Sequence, residues 1–358
     1  MANLVFNPTG GYWVNTEKPN GRVYFVGGGT PSASGQTGSG IAASDTYTGT
    51  TPQKPKSTVA GAISSTVSGR GDTVAVLPGS KTVTAAIAIT QDDLTLCSAT
   101  PVGPQGYGPA IVTAAATYDL NLITIDANNV TIDGLVFEAG FTTVTADQEV
   151  IQVNSASSAT DYRGVIIENC YFDMTRAAGA SSLTDTDLDV IRLGFDSSDA
   201  AIASTVRGCT IMGYNQDAIS ITAGSINCVI ENNRIVPEYT VGRTGVSILA
   251  VGALVRNNWI AADISASTTG PIVIGVAAAR AIVTDNHLVA EGANTIGIHY
   301  VNTATGATAR NYIHAGGAGN LVDYATSATV GSSNIDWGNV ENTNPAAPSL
   351  ITATVDGT

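Results

Sequence analysis

Two short segments recur along the chain, and both alternate apolar and polar residues. The first reads EVIQV (149–153), DVIRL (189–193), DAISI (217–221), TGVSI (244–248), IVIGV (272–276) and NTIGI (294–298). The second reads NVTIDGLVF (129–137), GVIIENCYF (164–172), ASTVRGCTI (203–211), NCVIENNRI (227–235), GALVRNNWI (252–260) and RAIVTDNHL (280–288). A shortened copy, ATARNYI, ends at Ile313, and DLTLCSA (93–99) is an earlier relative. A period of two predicts strands with one apolar face. In the first segment that face carries Ile151/Val153, Ile191/Leu193, Ile219/Ile221, Val246/Ile248, Ile274/Val276 and Ile296/Ile298. Strands this short cannot bury a face alone and need a stack of partners. Successive copies of the second segment start 24 to 39 residues apart. That spacing fits a solenoid whose strands are fixed and whose loops vary.

Aligning the copies separates three kinds of column. Gly134, Asn169, Gly208, Asn232, Asn257, Asp285 and Asn311 hold only residue types that tolerate positive φ, which predicts a left-handed corner between two sheets. Phe137, Phe172, Ile211, Ile235, Ile260, Leu288 and Ile313 form a core stripe. Asp133, Glu168, Arg207, Glu231, Arg256, Thr284 and Arg310 read as an exposed ion-pair ladder, with neighbours about 4.8 Å apart. Each such pair contributes on the order of 1 kcal/mol or less, so the ladder reports register more than stability. The fold class that follows is all-β: a right-handed parallel β-helix.

The ends differ from the middle. KPKSTVAGAISSTV (54–67) puts Val59, Ile63 and Val67 on one helical face, with Pro55 suited to a first turn. This predicts a short helix capping the open end of the solenoid. GDTVAVLPG (71–79) is expected as the first coil, and 27–53 as a Gly/Ser/Thr-rich loop. The expected organisation is a capping or anchoring region over 1–69, the β-helix over 70–338 and an extended tail over 339–358. The possible strand Leu350–Val355 in that tail has no obvious local partner and suits a clamp on a neighbouring subunit.

Composition narrows the function. The formal charge of −14 argues against nucleic-acid binding and against adhesion to anionic membranes. No run of about 18 apolar residues occurs, and MANLVFNPTGG has no basic stretch followed by an apolar run. Cys97, Cys170, Cys209 and Cys228 form no CxxC pair and no zinc spacing, and are expected as buried small apolar side chains. No cofactor or metal is expected. TDTDLDV (184–190) spaces Asp185, Asp187 and Asp189 like the start of a calcium loop, but Val190 stands where such a loop needs glycine.

KPKSTVAGAI followed by GDTVAVLPGSKTVTAAIAI, and then ANNVTIDGLVF, resembles the entry to pectate-lyase-like right-handed β-helices, in particular those encoded by bacteriophages. The likeness covers about residues 50–340. It implies two kinds of function. One is a homotrimeric virion protein that decorates a capsid and acts by binding the major capsid protein or tail proteins, without turnover. The other is a tailspike that binds or depolymerises host surface polysaccharide.

An enzymatic reading needs two carboxyl groups. Glu149, Asp189 and Asp217 fall in one column, where crowded like charges raise one pKa. The alternative is that they cap turns at strand entrances. The paired acids of polygalacturonases are absent around NQDAISI, where Gln216 precedes Asp217, and GRTGVSI (242–248) lacks their Gly-His-Gly element. No calcium cluster joins Arg192 to make a lyase site. A further column, Arg234, Trp259, His287 and Tyr312, is expected to face outward and to contact another subunit or a sugar. The outward column of the first strand, Gln152, Arg192, Ser220, Ser247, Gly275 and Gly297, reads as a face that flattens toward the C-terminus and suits packing against a copy of itself.

Overall fold

The computed structural model describes residues 4–7, 12–15, 21–27, 42–83, 85–100, 110–113, 117–118, 121–138, 143–144, 148–155, 160–174, 188–196, 199–214, 216–237, 244–263, 270–276, 278–291, 296–301, 304–315, 322–324, 335–337, 339–342 and 349–350. The chain winds as a right-handed parallel β-helix with three faces. Sheet 1 has nine strands, from Ile87–Ile89 to Val322–Tyr324, and sheet 2 has eleven, from Val23–Val26 to Ile335–Trp337. Sheet 3 has eleven, from Ser80–Val83 to Ser349–Leu350. One coil shows the path: Gln148–Val153 in sheet 1, Ile166–Glu168 in sheet 2, then Tyr171–Asp173 in sheet 3.

The interior is made of columns. Ile123, Ile151, Ile191, Ile219, Val246, Ile272 and Ile298 stack in register along sheet 1. Phe137 and Phe172 stack with centroids 4.9 Å apart, and Ile211, Ile235, Ile260, Leu288 and Ile313 continue that stripe fully buried. The corner between sheets 2 and 3 is a single left-handed residue at Gly134, Asn169, Gly208, Asn232, Asn257 and Asp285. In the last of these coils the corner is Arg310, with φ 53°, and not Asn311. The terminal copy therefore sits one residue earlier than the aligned letters suggest, and Ala309, not Arg310, pairs with Thr284.

Asn311 belongs to the next column, which the aligned copies do not separate. Asn233, Asn258, Asn286, Asn311 and Asn339 are all buried just past the corner. Each of the first four side-chain amides donates to the Oδ1 of the next, at 2.9–3.0 Å. The same Oδ1 accepts the backbone N–H of the residue one coil earlier, at 2.8–3.0 Å. The second amide hydrogen of Asn258 finds the carbonyls of Ile230 and Arg256, both at 3.0 Å. Toward the N-terminus the same column holds Cys209, Cys170 and Leu135, which are buried as expected of small or apolar side chains.

Five expectations about the periphery change. In sheet 1, Ile272/Ile274 and Ile298/Tyr300 align with Val246/Ile248, so Val276 is 51% exposed and not in the core. The outward column after Ser247 consequently runs through Val273 and His299, not Gly275 and Gly297, and does not flatten as expected. The helix is only Val59–Ile63, N-capped by Thr58; Val59 and Ile63 are buried, but Val67 is 51% exposed. Pro55 lies outside it, and it packs on the strands Val23–Val26, Thr73–Val76 and Ile87–Ile89. Val23–Val26 pairs with Thr73–Val76, so sheet 2 has a strand before the expected first coil. At the other end Ser349–Leu350 pairs antiparallel with Val340 and Glu341 of the same chain, so that segment does have a local partner; residues 351–358 lie outside the described ones.

Replacing Asn258 by alanine removes a donor and an acceptor and strands buried groups on both neighbouring coils. Each stranded group costs about 1–3 kcal/mol. The expected loss for Asn258→Ala is roughly 3–5 kcal/mol, read as a lower urea midpoint at unchanged slope.

Candidate functional site

Sheet 1 departs from strict alternation at one place, and that departure positions the acids. Val150 and Ile151, Val190 and Ile191, and Ala218 and Ile219 are all in the core, though each pair is consecutive. The side-chain parity flips there, so the residue just before each pair turns to the outer side, along with Gln152 and Arg192. Glu149 pairs directly with Asp189, and the register of Ile191 with Ile219 sets Asp217 beside Asp189. Thr244 ends the acidic column. The three carboxylates named from the sequence are thus one contiguous stack, with strands about 4.8 Å apart.

Their surroundings differ. Glu149 is 3% exposed, and Arg192 Nη1 approaches its Oε1 at 2.8 Å. The Glu149 backbone N–H donates to Asn121 Oδ1 at 3.0 Å, and the Asn121 amide donates to Gln152 Oε1. Arg192 also donates to the Phe195 carbonyl at 2.9 Å. Asp189 Oδ1 accepts the Asp217 backbone N–H at 3.3 Å. Burial, and then the charges of Asp217 and Glu149, push the Asp189 carboxyl well above the usual carboxylate range against the pull of Arg192. Arg192, which the sequence places near Asp189, is therefore the ion-pair partner of Glu149. Crowded carboxyls of which one has a raised pKa are an arrangement that acid–base chemistry uses.

The column Arg234, Trp259, His287 and Tyr312 is brought together as expected, on the outer side of sheet 3. The Arg234 guanidinium lies 5.5 Å from the Trp259 ring centre. Trp259 and His287 are 6.3 Å apart and tilted, and His287 meets Tyr312 edge to face at 4.8 Å. The contacts are tilted and edge to face, and His287 and Arg234 stay exposed on this face. Burial, and the neighbouring His314, hold the His287 pKa below its usual value.

The charge column behaves as paired rungs. Arg207 binds Glu168 at 2.6 Å and Arg256 binds Glu231 at 2.7 Å, while Arg310 binds Asp285 at 2.6 Å from the corner position. Burial pushes the thiols of Cys97 and Cys228 up to about 12, consistent with packing and not reactivity. Two lysines, Lys56 and Lys81, are buried without any sequence expectation that they would be. Lys81 sits in register with Ile111 at the start of the sheet 3 core stripe, and burial lowers its pKa to about 8. Among the described residues no group of three His, Cys, Asp or Glu side chains is placed to hold a metal ion; Asp185 and Asp187 lie outside them. No helix of the described residues is long and apolar enough to cross a membrane.

No family model and no curated protein matches the chain. Solved structures do. Pectate lyase Pel9A superimposes with a TM-score of 0.51 at 10% identity, over 89% of this chain and 80% of that one. That match shows the right-handed parallel β-helix fold. ORF18 of Geobacillus virus E2 matches at TM-score 0.45 and 14% identity, over 79% of this chain and 57% of that one. The enzymatically active domain of tailspike protein 2 from bacteriophage CBA120 matches at 0.43 and 12%, over 94% of this chain and 48% of that one. The chain thus spans less than two thirds of either of these two proteins.

Two measurements probe the side-chain columns. An acid with a raised folded pKa holds its proton longer in the folded chain. Its cost to stability is therefore absent near the ordinary value of 3.8 and grows as pH rises toward the folded value. Asp189→Asn removes that cost and keeps the acceptor for the Asp217 N–H. At pH 8 it is expected to raise Tm by about 3 °C relative to the parent, with no gain at pH 4. For the ring column, NMR titration of His287 is expected to give a midpoint below 6.5, and His314→Gln to raise it.

Proposed function

We propose that the chain is a bacteriophage virion structural protein, a homotrimeric capsid decoration (cement) protein that acts by binding the major capsid protein. The observation that carries this reading is how the candidate acids are used. Glu149 is neutralised by Arg192, and Asp189 caps the Asp217 N–H. Two of the three acids that hydrolysis would draw on are committed to holding adjacent coils. The resemblance of KPKSTVAGAI and GDTVAVLPG to phage-encoded β-helices supplies the setting.

A second reading has one observation in its favour. The Asp189 carboxyl is raised well above the usual range beside Asp217, as a general acid beside a base would be. On that reading the chain is a tailspike-type protein that binds or cuts host surface polysaccharide.

One paired experiment separates them. Purified chain is added to capsids lacking it, and separately to host capsule and lipopolysaccharide. The decoration reading expects added density at capsid three-fold positions and no new reducing or unsaturated sugar ends. Cleavage that disappears in Asp217→Asn, with no capsid density, overturns it in favour of the tailspike.

A further inference from the structure

The column just past the corner changes chemistry along its length. From Asn233 onward it is amide on amide, and at Leu135 it is apolar; between them stand Cys170 and Cys209, on adjacent coils. The backbone holds these two cysteines in register, with Glu168 opposite Arg207 before them and Tyr171 opposite Thr210 after them. Their sulfurs repeat as well. Cys170 Sγ lies 3.2 Å from the Glu168 carbonyl oxygen and 3.9 Å from that of Ile132. Cys209 Sγ lies 3.4 Å from the Arg207 carbonyl oxygen and 3.7 Å from that of Ile167. Ile167 is the register partner of Ile132, as Arg207 is of Glu168. Each sulfur thus holds the same place on its own coil, and one strand spacing, about 4.8 Å, separates the two.

That separation selects the chemistry. A disulfide needs its sulfurs about 2.05 Å apart, so closing one here would draw two packed coils together. A metal–thiolate bond is about 2.3 Å long, and two of them in line span about 4.6 Å. The gap between the sulfurs therefore fits one ion with neither coil displaced. Thiolate ligands select soft cations. The next rung, Asn233, turns an amide oxygen toward the pair, but that oxygen is a hard ligand and already accepts the Cys209 backbone N–H at 2.9 Å.

We propose that Cys170 and Cys209 form a linear two-sulfur site for a soft divalent cation of the mercuric type, held between two coils. Cys170 is 2% exposed and Cys209 1%, and burial favours an assembly with no net charge. A divalent ion with two thiolates has none. Two S–H bonds break, two metal–sulfur bonds form, and two protons pass to solvent. The carbonyls of Glu168 and Arg207 lose a weak S–H donor but keep the backbone N–H groups of Gly134 and Asn169. Neither capsid binding nor glycan cleavage draws on this column.

The test uses the full chain with Cys97→Ala and Cys228→Ala, which remove the two thiols outside the column. It is refolded from urea with one equivalent of mercuric chloride. X-ray absorption is expected to show two sulfurs on each mercury at about 2.3 Å, with the far-UV circular dichroism of the β-helix retained. The loaded chain is then challenged with excess small monothiol. Cys170→Ser and Cys209→Ser, which nearly keep the side-chain size, are each expected to retain at least tenfold less mercury than the parent. A parent that gives up its mercury as readily as these variants, a mercury bound by one or three sulfurs, or a loaded chain without the β-helix spectrum overturns the site. So does a chain refolded without the ion that is lighter by two hydrogens, since the pair is then a disulfide. Should a serine variant fail to fold, the sulfur count on the parent still decides.

Discussion

A buried side-chain amide must satisfy a carbonyl and two N–H bonds without water, and in this chain the groups at the right distance are the same amides one coil away. That requirement fixes the structure more tightly than apolar packing can. An isoleucine tolerates a neighbour shifted by a fraction of a residue, because dispersion contacts have no direction. Asn258 does not, since its Oδ1 serves two donors from the coil before and its amide serves Asn286 after it. From Asn233 onward the ladder locks the corner, the corner aims the strands, and the strands bring each column of outer side chains into line. Upstream, where Cys170 and Leu135 take the position, core packing and the backbone bonds between strands set the corner without side-chain amides.

The same stacking that orders the outer surface also crowds it. Every outer side chain has a neighbour about 4.8 Å away on each adjoining strand, so stacked charges either alternate in sign or crowd one another. From Glu168 onward the second segment alternates, giving Glu168–Arg207 and Glu231–Arg256, although Asp133 stands beside Glu168 at its start. Sheet 1 does not, and three acids meet in a row. Arg192 relieves Glu149 from the neighbouring strand, and the Asp189 carboxyl is pushed toward its neutral form. A raised carboxyl here follows from burial, and then from stacking beside other acids, whether or not the site has any chemistry.

Much of this was legible in the sequence, because parallel in-register stacking turns structure into aligned letters. The core stripe from Phe137 to Ile313 and the left-handed corner from Gly134 to Asp285 could be read directly. Errors arose where two registers satisfied the same pattern. IVIGV alternates equally well with Ile272/Ile274 or Ile274/Val276 inward, and only the length of the following turn distinguishes them. RNYI offered two polar residues for one corner, and the residue type favoured Asn311 although the chain uses Arg310. Of the candidate site, the acidic and ring columns were readable as columns. What each side chain does was not, because Glu149 reaches the outer side through a parity flip that consecutive apolar residues mark only weakly, and because its partner Arg192 comes from the next coil.

The asparagine ladder also gives the solenoid a polarity. In Asn233, Asn258, Asn286 and Asn311 the Oδ1 faces the coil before and the amide nitrogen faces the coil after. Small dipoles laid head to tail add, as they do along a helix axis. Each Oδ1 accepts only from the coil before, so a cut between two rungs would bare an Oδ1 on one stump and the two N–H groups that served it on the other. The two ends of the stack are thus different chemical surfaces, and a coil added at one end could not be exchanged for a coil added at the other.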